Sequence, residues 1–229
     1  MKKIGQDFGW GLDPHDHYAW NQALSMSADG TIVAAGAPYS NAGGFVKVHQ
    51  YSGGSWTMKG QVLTPQDVPA LAPGDPNLSA RFGTATELSS DGLILATFLE
   101  YSAQDHLGHY VALSSDGNVL AFSARNTVNP DRPAHEGYHG YVKVFQWDAV
   151  AGQYSQRGST IWGGSNQYYA GWRSTRLSSD GTVLTTANDK QPTKIEVFKY
   201  NGSNYVPYGA PISVSALRTA DMSGDGSKV

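Results

Sequence analysis

Histidine and aspartate crowd three short stretches of the chain, where they could hold a metal ion or move protons. His15-Asp16-His17 sets a carboxylate between two imidazoles. That donor set suits Zn²⁺ or another divalent ion if a neighbouring loop adds a ligand. A solvated polar loop is the plainer reading of the same three residues. His135 and His139 stand four apart, the spacing that aligns two ligands on a helix face. Pro133 and Gly137 argue against such a helix, so no metal is expected there. Asp105-His106 with His109 forms the third group. Trp10, Trp20, Tyr39, Tyr168, Tyr169 and Trp172 are interspersed with these stretches. Their flat apolar faces and polar tips suit stacking on a sugar or gripping a peptide; filling space in the fold is the equal alternative. There is no Gly-x-Ser-x-Gly elbow, phosphate loop or paired-carboxylate motif. Cysteine is absent, which removes disulfides, thiolate metal sites and a Cys nucleophile. An active site assembled from separate loops would leave no local signature of this kind.

The elements that position these residues come from a repeat. Leu113-Ser-Ser-Asp-Gly117 returns at Leu88–Gly92 and Leu177–Gly181, and looser copies stand at Met26–Gly30 and Met222–Gly226. Asp-Gly between apolar or β-branched runs is a hairpin signal, because Gly accepts the positive φ of a tight turn. Around the first copy, strands are expected at 23–26, 31–37, 45–51 and 56–63. Phe45-Val-Lys-Val-His-Gln-Tyr51 is matched by Tyr141-Val-Lys-Val-Phe-Gln-Trp147. Four antiparallel strands and a loop to the next copy is the layout of one propeller blade. The fold class expected is therefore an all-β propeller, or an arc of one, with about 16 strands and almost no helix. The second strands, rich in small residues, should be buried on both faces.

One domain over 1–229 is expected, with copies at about 19–63, 82–99, 108–161, 172–212 and 214–229, and a lone strand at 1–8. Asp91 and Asp116 are only 25 residues apart, too short for four strands. The copy at 82–99 should thus lack its outer pair, and the last copy is incomplete. Two defective blades would expose unpaired edges. The chain is accordingly expected to belong to a longer polypeptide or to be covered by neighbouring subunits.

Composition narrows the partners. Net charge is −3 and charged residues are 15% of the chain, so no basic field exists to draw nucleic acid. No run approaches a membrane span, and Met1-Lys-Lys-Ile-Gly-Gln-Asp has no apolar core behind its lysines, so no secretory signal is read there. Asn77-Leu-Ser79 and Asn201-Gly-Ser203 are sequons in expected loops or turns.

Phe82-Gly83, Leu88-Ser-Ser-Asp-Gly92 and Gly36-Ala37-Pro38 together resemble the FG-GAP repeat of integrin-α-type propellers. The resemblance spans about residues 19–229. It implies an extracellular or cell-surface binding propeller, with protein partners, neighbouring subunits or a glycan as what it binds. Members of that family carry a calcium loop, Asp-x-Asp-x-Asp-Gly. Here only the last Asp-Gly remains, and one carboxylate per loop is too few for calcium. No cofactor is expected, and no tightly held calcium at Asp29, Asp91, Asp116, Asp180 or Asp225. Those residues are read as turn formers, with Asp and Ser bonding their own backbone.

Propeller geometry puts the loops after strands two and four on one face. That face would gather Trp10, His15, Asp16, His17, Trp20, Tyr39, His106, His109, His135, His139, Tyr168, Tyr169 and Trp172, leaving only His49 on a strand. The function expected is a non-catalytic binding or structural propeller, not an enzyme. The alternatives are a lectin-like propeller using the loop aromatics and a loop-built hydrolase or lyase.

Overall fold

The five Ser-x-Asp-Gly segments all fold into the same turn, and the carboxylate is its centre. Ser114 Oγ donates to Asp116 Oδ1 at 2.6 Å, and the Asn118 N–H donates to that oxygen at 2.9 Å. Ser114 Oγ in turn accepts the Val119 N–H at 2.8 Å. The same three contacts recur around Asp29, Asp91, Asp180 and Asp225. Gly30, Gly92, Gly117, Gly181 and Gly226 all have φ between 68° and 73°, a conformation that costs Gly alone nothing. The first four of these turns therefore deliver an inner strand into a second strand with a defined register.

The computed structural model describes residues 23–40, 43–67, 81–100, 107–133, 137–164, 170–188, 192–215, 217 and 219–229. Among them lie sixteen strands, one 3-10 turn at Pro65–Asp67 and no α-helix. No helix among the described residues is long and apolar enough to cross a membrane. The chain forms two compact units, Met1–Ser102 and Ala103–Val229.

In the first unit, β1 (Leu24–Met26), β2 (Ile32–Ala37), β3 (Phe45–Ser52) and β4 (Ser55–Met58) form an antiparallel sheet in sequence order. All six residues of β2 are buried. β5 (Arg81–Leu88) and β6 (Leu95–Glu100) pair as a two-stranded sheet, the expected blade without outer strands. Ile32, Ala34 and Leu88, with Val48 and Leu95, form the core between the two sheets.

The second unit has two fuller sheets. One contains β7 (Leu107–Leu113), β8 (Val119–Ala124), β9 (Tyr141–Asp148), β10 (Gln153–Gln156) and β11 (Ile161–Trp162). The other contains β12 (Ser174–Leu177), β13 (Val183–Ala187), β14 (Thr193–Tyr200), β15 (Tyr205–Pro207) and β16 (Ile212–Val214). Val119, Ala121, Val144, Leu184, Phe198 and Tyr205 belong to the cluster packed between them. Within each unit consecutive turns are also linked. The Ala28 N–H donates to the Ser90 carbonyl at 2.9 Å, and the Ser115 N–H to that of Ser179 at 2.8 Å.

The outer strand differs from expectation. The continuous run expected at 56–63 is broken in two, and so are its counterparts in the later copies, 154–161 and 205–212. β10 and β11 both pair with β9, β15 and β16 both pair with β14, and Leu63 bridges back to Val46 beyond β4. The cause is a glycine at positive φ in each run: Gly60 at 77°, Gly158 at 80° and Gly209 at 86°. After Met222–Gly226 no further strand forms among the described residues.

Candidate functional site

A bulge in the inner strand β7 creates the candidate site in the second unit. Leu107 pairs with Ala124 and Val111 with Phe122, so Gly108, His109 and Tyr110 face Ser123 alone. Gly108 takes φ 75°, which permits the detour. The Tyr110 N–H donates to Ser123 Oγ at 3.2 Å, and Ser123 Oγ donates to the Gly171 carbonyl at 3.1 Å. These contacts tie the bulge to the segment entering β12. A Cβ on Gly171 would run into Ser123. Trp172 follows directly.

The bulge buries His109 and Tyr110, each only 6% exposed. Their rings meet edge to face at 5.0 Å between centroids, and His109 lies 6.3 Å from Trp172. The Arg125 guanidinium, just beyond β8, sits 4.4 Å over the Trp172 ring. Arg173 precedes β12 and Arg176 lies within it. Burial raises the Tyr110 pKa above the usual tyrosine range, while the charges of Arg176, Arg173 and Arg125 pull it back. The phenol is therefore protonated at neutral pH and feels the positive charge of three guanidinium groups. Arg176 Nε contacts Asp221 Oδ1 at 3.1 Å, and its Nη1 donates to the Thr175 carbonyl. The arrangement can donate a proton from Tyr110, accept one at His109 and stabilise negative charge developing beside them.

Of the residues expected to share one face, the structure brings together only His109 and Trp172 among those described. His109 lies within β7 and not in the preceding loop, because the bulge carries the strand back past it. His139 is fully buried, and its Nδ1 accepts the Asn129 N–H at 3.2 Å. Its backbone N–H donates to Thr127, and its carbonyl accepts from Ala170. It closes the 125–140 loop from inside. Tyr39, in the first unit, lies under the Arg81 guanidinium at 5.0 Å. Trp10, His15, Asp16, His17, Trp20, His106, His135, Tyr168 and Tyr169 lie outside the described residues, as do Asn77 and the strand expected at 1–8.

Tyr110, Arg125, Arg173 and Arg176 were missed in the sequence. A signal existed in the repeat: the residue two before the conserved Ser of each turn is Ser25, Glu87, Ala112, Arg176 or Asp221. Charge that varies at one structural position marks function more than packing. The turn aspartates spend their oxygens on their own turns, as described above. No cluster of three or more His, Asp or Glu suited to a metal is found among the described residues.

No protein-family model matches the chain. No curated protein matches it either. Among solved structures, it is similar to one from Bacteroides uniformis provisionally described as a 6-phosphogluconolactonase, at 15% identity and TM-score 0.49, over 89% of this chain and 75% of that one. A second structure with the same provisional description, from Bacteroides fragilis, aligns at 16% identity and TM-score 0.41, over 89% and 74%. TolB from Acinetobacter baumannii aligns at 13% identity and TM-score 0.47, over 94% of this chain and 48% of its own length. These likenesses are of fold only: the chain is all-β, built of propeller-type antiparallel sheets.

The FG-GAP resemblance finds no matching family model, and what stands of it is the coarser propeller-type fold. The reading as a non-catalytic binding or structural propeller, not an enzyme, is not kept: sheets of this propeller type occur in structures described as enzymes as well as in TolB. The short Phe-Gly and Gly-Ala-Pro motifs have a packing origin. Gly36 and Gly83 lie against each other across two sheets, where a side chain on either would clash.

Proposed function

We propose that the second unit carries a loop-built hydrolase or lyase site for a small anionic substrate. One observation carries the reading: a buried His109–Tyr110 pair on a strand bulge, with Arg125, Arg173 and Arg176 within electrostatic reach of the phenol. The arginines would hold the substrate's anionic group and the oxyanion that develops on the attacked carbonyl. Trp172, stacked under Arg125, fixes one of them in place. In a hydrolytic step His109 takes a proton from the attacking water, and Tyr110 gives its proton to the departing oxygen. The new carbon–oxygen bond forms first and places negative charge on the carbonyl oxygen; the acyl–oxygen bond breaks as that oxyanion collapses, and the proton on His109 returns to the Tyr110 oxygen through solvent. Positioned acid–base groups of this kind contribute roughly 10²–10⁴-fold in rate.

The test is turnover by the full chain of a panel of carboxylated and phosphorylated esters and lactones, beside their neutral counterparts. His109→Gln and Tyr110→Phe should each lower kcat by about 10²-fold or more with unchanged melting. Arg173→Gln should act mainly on KM. Absence of turnover across the anionic panel, or turnover indifferent to His109→Gln and Tyr110→Phe, overturns the reading.

A further inference from the structure

A second site lies away from the bulge, where the outer strands of the two fuller sheets of the second unit leave an open cleft of about 500 Å³. Gln146, Gln156, Arg157, Tyr200 and Ser203 line it, with two glycines. The Arg157 guanidinium lies over the Tyr200 ring at 4.0 Å from its centroid, and its Nη1 donates to Gln146 Oε1 at 2.9 Å. No carboxylate pairs with Arg157 among the described residues. The stacked ring holds the guanidinium plane, and Gln146 uses one of its several N–H donors. The remaining donors are presented in a fixed plane, the geometry that takes a carboxylate by two parallel bonds.

The rest of the lining is polar and complementary to hydroxyl groups. Gln156 Nε2 is turned to the Gly158 carbonyl at 2.9 Å, which leaves its Oε1 as an acceptor. Ser203 Oγ accepts from Asn204 Nδ2 at 3.4 Å and keeps its own proton to donate. The Tyr200 hydroxyl is occupied by the Gly202 carbonyl at 2.9 Å. A ligand fitting this cleft offers a carboxylate beside hydroxyls that both donate and accept. A peptide would also bring apolar side chains, for which the cleft has little beyond one ring already covered by Arg157.

A cation paired with Gln stands at this place in two copies of the repeat, while the third has Lys199 over Tyr208 there. In the first unit Lys59 Nζ contacts Gln50 Oε1 at 3.4 Å. What the second unit adds is the tyrosine of the next sheet, Tyr200, and the Asn201–Asn204 turn with Ser203. The first unit's next sheet has only two strands and no outer pair to supply them.

We infer that this cleft binds the carboxylate of an acidic saccharide of the uronate class, separately from the site around Tyr110. The experiment is calorimetry of the full chain with oligogalacturonate, its methyl-esterified form and a glutamate oligopeptide. Oligogalacturonate should bind at low ionic strength and the methyl ester should not. Arg157→Gln should weaken binding roughly tenfold or more, the loss of a charge-assisted pair. Arg157→Lys, which keeps the charge but not the planar fork, should weaken it several-fold. Lys59→Gln and His109→Gln should leave it unchanged, which separates this site from the proposed catalytic one. Should Arg157→Gln fold poorly, amide shifts at Gln156 and Ser203 in the wild-type chain report the same contact. Equal binding of the ester, binding indifferent to Arg157→Lys and without shifts at those amides, or no binding at all overturns the inference. Binding of the peptide in place of the saccharide overturns the ligand class.

Discussion

Gly36 and Gly83 lie against each other with no room for a side chain: a Cβ on Gly36 would overlap the Gly83 carbonyl. Gly36 sits in fully buried β2 and Gly83 in the bulge of β5. Gly36 is not among the glycines at positive φ, so its requirement is space alone. Gly36→Ala should therefore destabilise the chain by about 1–3 kcal/mol, the usual cost of overpacking. Gly53→Ala makes the contrast. Its Cβ would meet nothing, but its φ of 59° remains strained. Urea denaturation should show the larger loss for Gly36→Ala. The reverse order would mean that the two sheets adjust to each other freely.

The turn aspartates make stability depend on acid. Asp29, Asp91, Asp116, Asp180 and Asp225 are all held below the ordinary carboxylate range, in each case chiefly by the hydroxyl of the turn's own serine, and Asp225 is held at about 2. A folded pKa below the unfolded one means that the unfolded chain binds more protons between the two values. Stability then rises with pH across that interval. The contribution is complete above about pH 4, where unfolded aspartates are ionised, and fades as pH falls toward about 2. Urea midpoints measured from pH 7 down to pH 2.5 should fall, and Asp116→Asn with Asp180→Asn should flatten the fall. Ser114→Ala strips a donor from Asp116 and an acceptor from the Val119 N–H, and should cost about 1 kcal/mol at neutral pH. A flat acid profile would show that the turns hold without their charge.

Tyr205 supplies the alkaline counterpart. It is 7% exposed, its hydroxyl donates to the Gly181 carbonyl, and burial pushes its pKa up to about 12. A folded pKa above the unfolded value near 10 stabilises the chain below about pH 10 and is lost as pH rises toward 12. Tyrosinate absorbance should show late-titrating groups, Tyr110 among them, and the one near 12 should disappear in Tyr205→Phe. That variant also leaves the Gly181 carbonyl without its donor, at a cost of about 1–2 kcal/mol at neutral pH. Ordinary titration of every tyrosine in the folded chain would contradict the buried hydroxyl.

Local features of the fold were legible because the chain states them locally. Asp116-Gly117 and its copies announce hairpins, and Tyr141–Trp147 repeats Phe45–Tyr51. That no outer strands follow β6 among the described residues agrees with the short distance between Asp91 and Asp116. The break in each outer strand was also written, as Gly60, Gly158 and Gly209, but a glycine inside an apolar run does not say whether it bends the strand or merely weakens it. The site was less legible. His109 and Trp172 drew notice for their side-chain types. Tyr110 was read as an ordinary strand residue, since the bulge that buries it depends on pairing with Ser123. Arg125, Arg173 and Arg176 are 48 and 3 residues apart in sequence and become one electrostatic group only when β7, β8 and β12 pack. His139 is the opposite case, a histidine expected on the loop face whose ring accepts a backbone N–H inside the fold.

Asp221 should regulate the charge of that group. Its carboxylate meets Arg176 Nε at 3.1 Å and accepts the Met222 N–H at 2.9 Å. The Asp221 side chain is 83% exposed and that of Arg176 26%. An ion pair this open to water contributes at most about 1 kcal/mol, so Asp221→Asn should barely change the melting temperature. Its electrical effect reaches further. Arg176 is the leading cation acting on the buried Tyr110 hydroxyl, and Asp221 offsets it from the side facing solvent. Removing the carboxylate's charge should tighten binding of a small polyanion, probed with citrate by calorimetry, by several-fold at low ionic strength. Arg176→Gln should weaken it by at least as much, and added salt should shrink both effects as the exposed charges are screened. Citrate binding that ignores both substitutions would remove Arg176 from the site. A large fall in melting temperature for Asp221→Asn would instead make Asp221 a structural residue of the last turn.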